Sequence, residues 1–380
     1  PSTAVSYQEW VAKFQSYALS KGKPDKVIQT AFAGVKENPD ISDRPSKQPE
    51  FELPIWTYLD RVVSDDRVSR GQGKYLENKV LLAGIEHDYG VPPEVVMGIW
   101  GIETDFGNNF GTYNVFEALT NIGYAAERQA FACEQLLAAL DMVASKNVAP
   151  WKMVGSWAGA MGHPQFLPSN YMTLAVDRDR SGTADLWDSV PDALASAANH
   201  LVDDGWRRGL PWGMEVKVPA KFPFEQAEID IHYPISHWKS LGVTRTDGSA
   251  LPDWTGNTMI FAPAGHTGPA FLASENFDVI RKYNNSIKYV LSVAHLGDRI
   301  LGGRRIVGKW PVQEQPLSLD ERKEVQALLL ARGYDVGSVD GVLGLKSRKA
   351  ARGFQKDLGW PQDGFINKAL LEELRRRKSV

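Results

Sequence analysis

From residue 7 to about residue 90 the apolar positions recur at helical spacing, interrupted by a Pro/Asp/Ser-rich loop around residues 38–54. Pro92 and Pro93 followed by Glu94 announce another helix, because a first-turn N–H would be unpaired anyway and proline lacks it. The stripe of that helix is Val95, Ile99, Ile102 and Phe106, spaced by four, three and four residues. Helical patterns continue over residues 125–144 and 191–205. Between residues 214 and 273 the period changes to short alternating runs, MEVKVP and NTMIFAP among them, bounded by Gly and Pro. That change predicts a small β-rich insertion in a helical domain. Helices resume from about residue 275 to residue 301.

Residues 310–318 carry two prolines, Pro311 and Pro316, and no apolar period, which reads as a semi-rigid linker. Beyond it, residues 319–380 form a separate three-helix unit. Its first helix ends at Gly333, the second begins near Lys346 and the third runs from Asn367. Asp340-Gly341 and Asp363-Gly364 precede the second and third helices at equivalent places, a degenerate internal repeat. The expected fold class is mainly α (α+β): a helical domain over residues 1–309, the β-rich insertion at about 214–273, the linker and the C-terminal module.

With 380 residues, 43% hydrophobic and 23% charged, the chain is globular and long enough for two or three domains. A net charge of −3 excludes a broadly basic nucleic-acid binder. The module alone holds 13 Lys/Arg against 9 Asp/Glu, a balance of +4 that leaves −7 for residues 1–318, and a basic module suits a carboxylate-bearing polymer. Twelve Trp and twelve Tyr fit a sugar-binding cleft, although aromatics bury well in any core and core burial is the better reading for most of them. Cys133, the single cysteine, lies among Phe131, Leu136, Leu137 and Leu140 as a core residue, and one cysteine permits no intrachain disulfide. No apolar run reaches transmembrane length. The chain begins at Pro1 and reads as a mature or trimmed form, with a signal or anchor segment absent from it.

Glu103 stands near the end of the helix in GIWGIETDFGNNFG, on the face shared with Val96 and Trp100. Apolar neighbours and the negative helix end both disfavour its charged form, which suits a general acid, though an ordinary surface or paired glutamate fits that helix equally well. GSWAGAMGHPQFLPSNY, residues 155–171, is too rich in small residues to be a packing stripe and reads as a ligand-approaching loop containing Ser156 and Gln165. Asp105 is the obvious second carboxylate, yet residues two apart do not share a helix face. A single-acid mechanism follows, in which the substrate supplies the nucleophile. In AVDRDRSGTADLWDSVPDAL, residues 175–194, Asp177, Asp179, Ser181 and Thr183 follow the EF-hand ligand order, with Gly182 at the sharp turn. Position 12 is Asp188, a shorter carboxylate than glutamate, and Asp192 is the better-placed closing ligand; a metal-free turn stays open. No HExxH or Cys/His cluster offers a catalytic metal site.

GIWGIETDFG and SWAGAMGHPQFLPSNY, with RKYNNSIKY at residues 281–289, resemble the signatures of the membrane-bound lytic transglycosylase B family. The resemblance implies a lysozyme-like core that cleaves peptidoglycan between N-acetylmuramic acid and N-acetylglucosamine and leaves a 1,6-anhydro product. It implies that Glu103 is acid and then base, with Ser156, Gln165, Arg128, Tyr283, Asn284 and Tyr289 contacting sugar. His200 departs from the family's tyrosine. The resemblance also implies a structural Ca2+ on Asp177, Asp179, Ser181, Thr183 and Asp192, none being required for the chemistry. Residues 319–380 resemble the peptidoglycan-binding domain through their GY, VDG, FQ and second DG. Implied partners are glycan strands and stem peptides, with other cell-wall enzymes as a further class, and the implied compartment is the periplasm. The competing readings are a lysozyme-type hydrolase and a non-catalytic wall-binding scaffold.

Overall fold

The computed structural model describes residues 5–44 and 52–377. Its contacts divide the chain into two compact units, each assembled from separated stretches. The first holds the described residues up to 44 with 65–206 and 293–301, and the second holds 52–64, 207–292 and the rest from 302.

The first unit is helical. Its opening helix, Tyr7–Ser20, starts in a reciprocal cap: Ser6 Oγ accepts from the Glu9 N–H, and the Ser6 N–H donates back to the Glu9 carboxylate. The helix buries Tyr7, Trp10, Phe14 and Ala18. At its centre runs Pro93–Thr104, where Val95 through Gly101 are all buried. A helix apolar all round belongs inside a core, so the single stripe read from the sequence understates its enclosure. Phe106 is not on that stripe: the helix ends at Thr104, and Phe106 folds back at φ 59° to set its ring edge against Trp100, centroids 5.6 Å apart. Residues 293–300 of the helix Ile287–Ile300 cross this element closely. A Cβ on Gly98 would lie 2.1 Å from the Val293 carbonyl oxygen, and one on Gly297 would lie 1.9 Å from that of Glu94. The helix expected over residues 125–144 instead begins at Gln129 and follows a separate helix, Val115–Tyr124. The break falls where Ala126 takes a left-handed φ of 67°.

The second unit contains the β-rich insertion, a five-stranded antiparallel sheet. Ala270–Ser274 lies centrally, pairing with Asn257–Phe261 on one side and Gly213–Lys217 on the other. Trp238, Val216, Ile260 and Leu272 fill its core. The C-terminal helices Leu319–Leu330, Leu345–Leu358 and Lys368–Arg376 close over Val325, Leu329, Ala351, Phe354, Leu370 and Leu371. Both Asp-Gly turns are wired alike: Gly341 N–H donates to Gln326 Oε1 at 2.7 Å, and Gly364 N–H donates to Gln355 Oε1 at 2.9 Å. The repeat seen in the sequence is thus one hydrogen-bonding unit used twice.

The segment read as a linker is packed. Trp310 lies against Trp56 and Phe271, with centroids 6.3 and 6.4 Å away. Just before it, the Val307 and Gly308 N–H groups donate to the Glu215 carboxylate. The module's basic charge is also partly committed. Glu228, 2% exposed, pairs with Arg348 at 2.9 Å and Arg352 at 2.6 Å, while Lys349 pairs with Asp230. Burial alone would raise the Glu228 pKa, but the two guanidiniums overcome it and hold the carboxyl at about 2. The module is therefore clasped to residues 227–230 rather than hung on a free spacer, and those cations are not available to a polymer.

Candidate active site

Glu103 is half-buried in the last turn of Pro93–Thr104. Three successive left-handed residues then reverse the chain: Asp105 at φ 49°, Phe106 at 59° and Gly107 at 86°. This reversal turns Asp105 to Arg67 and Arg70, whose guanidinium nitrogens approach to 3.2 and 2.8 Å. Burial works against the Asp105 anion, yet the two arginines prevail and keep its pKa below the usual carboxylate range. Asp105 is a committed anion and not a second acid.

The glutamine loop is a short reversal built from close backbone contacts. Tyr113–Asn114 pairs with Val154–Gly155, and Met161 bridges both Gly155 and Phe166. Glycine is required at 155, where a Cβ would fall 1.8 Å from the Ala160 carbonyl oxygen. Ser156 Oγ accepts from the Ala158 and Ala160 N–H groups at 3.2 and 3.3 Å. Both partners are donors, so the hydroxyl hydrogen remains to be given elsewhere. Gln165, half-buried at a left-handed φ of 54°, donates through Nε2 to the Gly162 and Phe110 carbonyls at 2.9 and 3.2 Å. Its amide protons are thereby engaged and Oε1 remains as an acceptor.

Residues that the sequence did not single out hold the glutamate turn to this loop. Trp100 Nε1–H donates to His163 Nδ1 at 2.9 Å, and Thr104 Oγ1–H donates to the His163 carbonyl at 3.0 Å. Thr104 Oγ1 in turn accepts from the Gly107 N–H at 3.2 Å. Burial pushes the imidazole down to about 4, so the ring is neutral near pH 7. The i, i+4 spacing of Trp100 and Thr104 was the available signal that one partner bridges both.

Asp177, Asp179 and Asp192 bring carboxylate oxygens within 4.8 Å of one another. Asp192 is fully buried and accepts from the N–H groups of Arg178, Asp179 and Asp185. The Ser181 N–H donates to both Asp177 and Asp179, and Ser181 Oγ–H donates to the Thr183 carbonyl at 3.2 Å. Asp188 lies apart from this group and pairs with Lys152 at 2.6 Å. Such clustered hard oxygens suit a calcium ion. The following arm is sewn to the glutamine loop: Trp187 Nε1–H donates to the Val154 carbonyl at 2.9 Å, and the His163 N–H donates to the Leu186 carbonyl at 2.9 Å.

Arg128 is exposed before the helix Gln129–Lys146, its guanidinium 4.2 Å from the centre of the Phe131 ring. His200 sets its ring edge against Phe166, centroids 5.4 Å apart. Tyr283, Asn284 and Tyr289 fall in the second unit. There Tyr289 is buried and lies parallel to Tyr283, centroids 6.5 Å apart, while Asn284 is exposed. Within the same unit a cavity of about 740 Å³ is lined by Arg281, Asn285, Ser286 and Lys288 of that segment, with Trp56 and Phe365.

Residues 6–298 match the family described as the transglycosylase SLT domain, and residues 318–374 match a peptidoglycan binding domain. Membrane-bound lytic murein transglycosylase B of Escherichia coli K12 is 30% identical over 244 residues, 64% of this chain and 66% of that protein. The structure of SltB3 from Pseudomonas aeruginosa in complex with NAG-anhNAM-pentapeptide is 42% identical with a TM-score of 0.94, covering 97% of this chain and 99% of that one. The structure of Slt35 from E. coli in complex with calcium is 26% identical with a TM-score of 0.67, covering 77% of this chain and 92% of that one.

Proposed function

The chain belongs to the transglycosylase SLT domain family, and from that membership we propose that it is a lytic transglycosylase with Glu103 as its only acid and base. Its substrate is the β-1,4 bond from N-acetylmuramic acid to N-acetylglucosamine in peptidoglycan. Glu103 protonates the leaving oxygen as the glycosidic bond breaks. The resulting carboxylate then takes the proton of the muramic C6 hydroxyl, whose oxygen attacks the anomeric carbon and closes the 1,6-anhydro ring. One carboxyl serves both steps because protonating the leaving group generates the base.

The observation that carries this reading is the capture of Asp105 by Arg67 and Arg70. A two-carboxylate glycosidase needs a second acid or base across the scissile bond, and Asp105, the carboxyl closest to Glu103 in sequence, is held by the two arginines. Gln165 offers an acceptor and Ser156 a donor for the C6 hydroxyl or the N-acetyl group. Arg128, Tyr283, Asn284 and Tyr289 are the proposed sugar contacts. Asp177, Asp179 and Asp192, with Ser181 and Thr183, would hold a structural Ca2+ that braces the glutamine loop and takes no part in bond cleavage. Residues 318–374 would engage glycan strands or stem peptides, and the working compartment would be the bacterial periplasm. No helix among the described residues is long and apolar enough to cross a membrane.

Purified sacculi treated with the protein should release fragments ending in 1,6-anhydromuramic acid, lighter by one water than hydrolytic fragments. Glu103→Gln should lower that release by about 10²–10⁴-fold while sacculus binding persists. Reducing-end products of full mass would make the enzyme a muramidase hydrolase. Activity within a few-fold of the parent would remove Glu103 from the mechanism.

A further inference from the structure

We propose that His163 is the positioning residue of this centre, fixing the separation between the Glu103 carboxyl and the Gln165 amide. The inference rests on the transglycosylase reading above and adds a residue to it. His163 is 7% exposed and uses its polar groups in two directions. Towards the glutamate helix, Nδ1 accepts from Trp100 and the backbone carbonyl accepts from Thr104, the residues three before and one after Glu103. Towards the arm after the acidic loop, its N–H donates to the Leu186 carbonyl. Two residues further along the chain is Gln165, which itself reaches back to the Phe110 carbonyl beyond the glutamate turn.

The packing around the ring leaves it little freedom. Phe110 and Trp100 set ring edges against it at 4.7 and 5.7 Å, and a Cβ on Gly107 would lie 2.3 Å from its Cε1. A left-handed glycine is therefore needed opposite the imidazole as well as for the turn. The Trp100 bond requires a lone pair on Nδ1, which a protonated ring lacks, and burial keeps the ring neutral. A merely space-filling histidine needs none of these polar commitments to Trp100 and Thr104. Proton transfer in both directions through one carboxyl depends on placement, and a displacement of about 1 Å costs on the order of 10²-fold in rate.

The test compares His163→Leu, His163→Asn and Trp100→Phe with the full-length parent on soluble glycan fragments, measuring kcat, KM and melting temperature, with Glu103→Gln alongside. Asparagine carries an acceptor close to the Nδ1 position, leucine carries none, and phenylalanine at 100 removes only the donor. The expected result is a kcat lower by about 10²-fold in His163→Leu with KM little changed. His163→Asn should retain kcat within several-fold, and Trp100→Phe should fall between the two. Normal kcat in His163→Leu overturns the proposal, as does equal loss in the Leu and Asn variants at equal melting temperature. If His163→Leu fails to fold, the decision passes to the other two: a normal kcat in Trp100→Phe, or a collapsed one in a folded His163→Asn, overturns it. An active Glu103→Gln would instead sink the transglycosylase assignment, so the two failures are distinct.

Discussion

Glu103 and Asp105 are two residues apart and have opposite fates, one half-buried in the last helical turn and the other fixed between two arginines. Helical geometry alone predicted that they would not share a face, and the left-handed reversal after Thr104 separates them further. His163 was not legible in the same way, because its meaning lies in contacts to Trp100 and Thr104 some sixty positions earlier. The acidic loop was legible through its closing ligand: Asp192 was preferred to Asp188, and the fold groups Asp192 with Asp177 and Asp179.

Two groups, His163 and Glu228, contribute strongly to the acid behaviour of the protein. His163 is held at about 4, below its ordinary 6.5, so between these values the unfolded chain binds the extra proton. Glu228 is held at about 2 against 4.5, so the unfolded chain again binds more protons in the window between them. The stability these two groups contribute should therefore be complete above pH 6.5 and fall on acidification, by up to about 1.4 kcal/mol per pH unit for each group within its window. Urea titrations at stepped pH check this, and His163→Asn should flatten the upper window while leaving the lower one.

At the level of elements, close approach was hidden in the sequence because glycine reads as punctuation until its neighbour is known. Gly98 sits inside a helix, where glycine costs stability, yet the Val293 carbonyl occupies the space a methyl would take. Gly98→Ala should destabilise by about 1–3 kcal/mol through overpacking. Gly73, also helical, has nothing within 4 Å of a built Cβ, and alanine there should stabilise by about 0.4–1 kcal/mol. Paired thermal melts decide both. Helix starts were well marked by Pro93 and by the caps at Ser6 and Ser318. The break at Ala126 carried no such mark, since alanine favours helix on either side of it.

Across the whole molecule, the sequence revealed the module, its repeat and the β-rich insertion, because each has its own period. It misjudged how the module is attached, since a linker and a packed irregular segment look alike where apolar periodicity is absent. Glu228→Ala should cost about 3–5 kcal/mol by leaving Arg348 and Arg352 without their buried partner. Calorimetry should show that loss in the transition that includes the module. Millimolar calcium should raise the melting temperature through binding to the folded state, and Asp177→Ala should erase the increment. An identical melt in chelator would mean that the acidic loop is only a turn.

The discontinuity of the first unit also governs when the enzyme comes into being. Its last stretch, residues 293–301, supplies the backbone against which Gly98 packs and the glycine that meets Glu94. A ribosome delivers these residues only after the whole sheet-bearing insertion has been made, while chains otherwise fold from the N-terminus as they emerge. Throughout that interval the nascent chain carries Glu103 on a helix that lacks one of its walls. Synthesis order thus leaves the helix that carries Glu103 without that wall until residues 293–301 have been made.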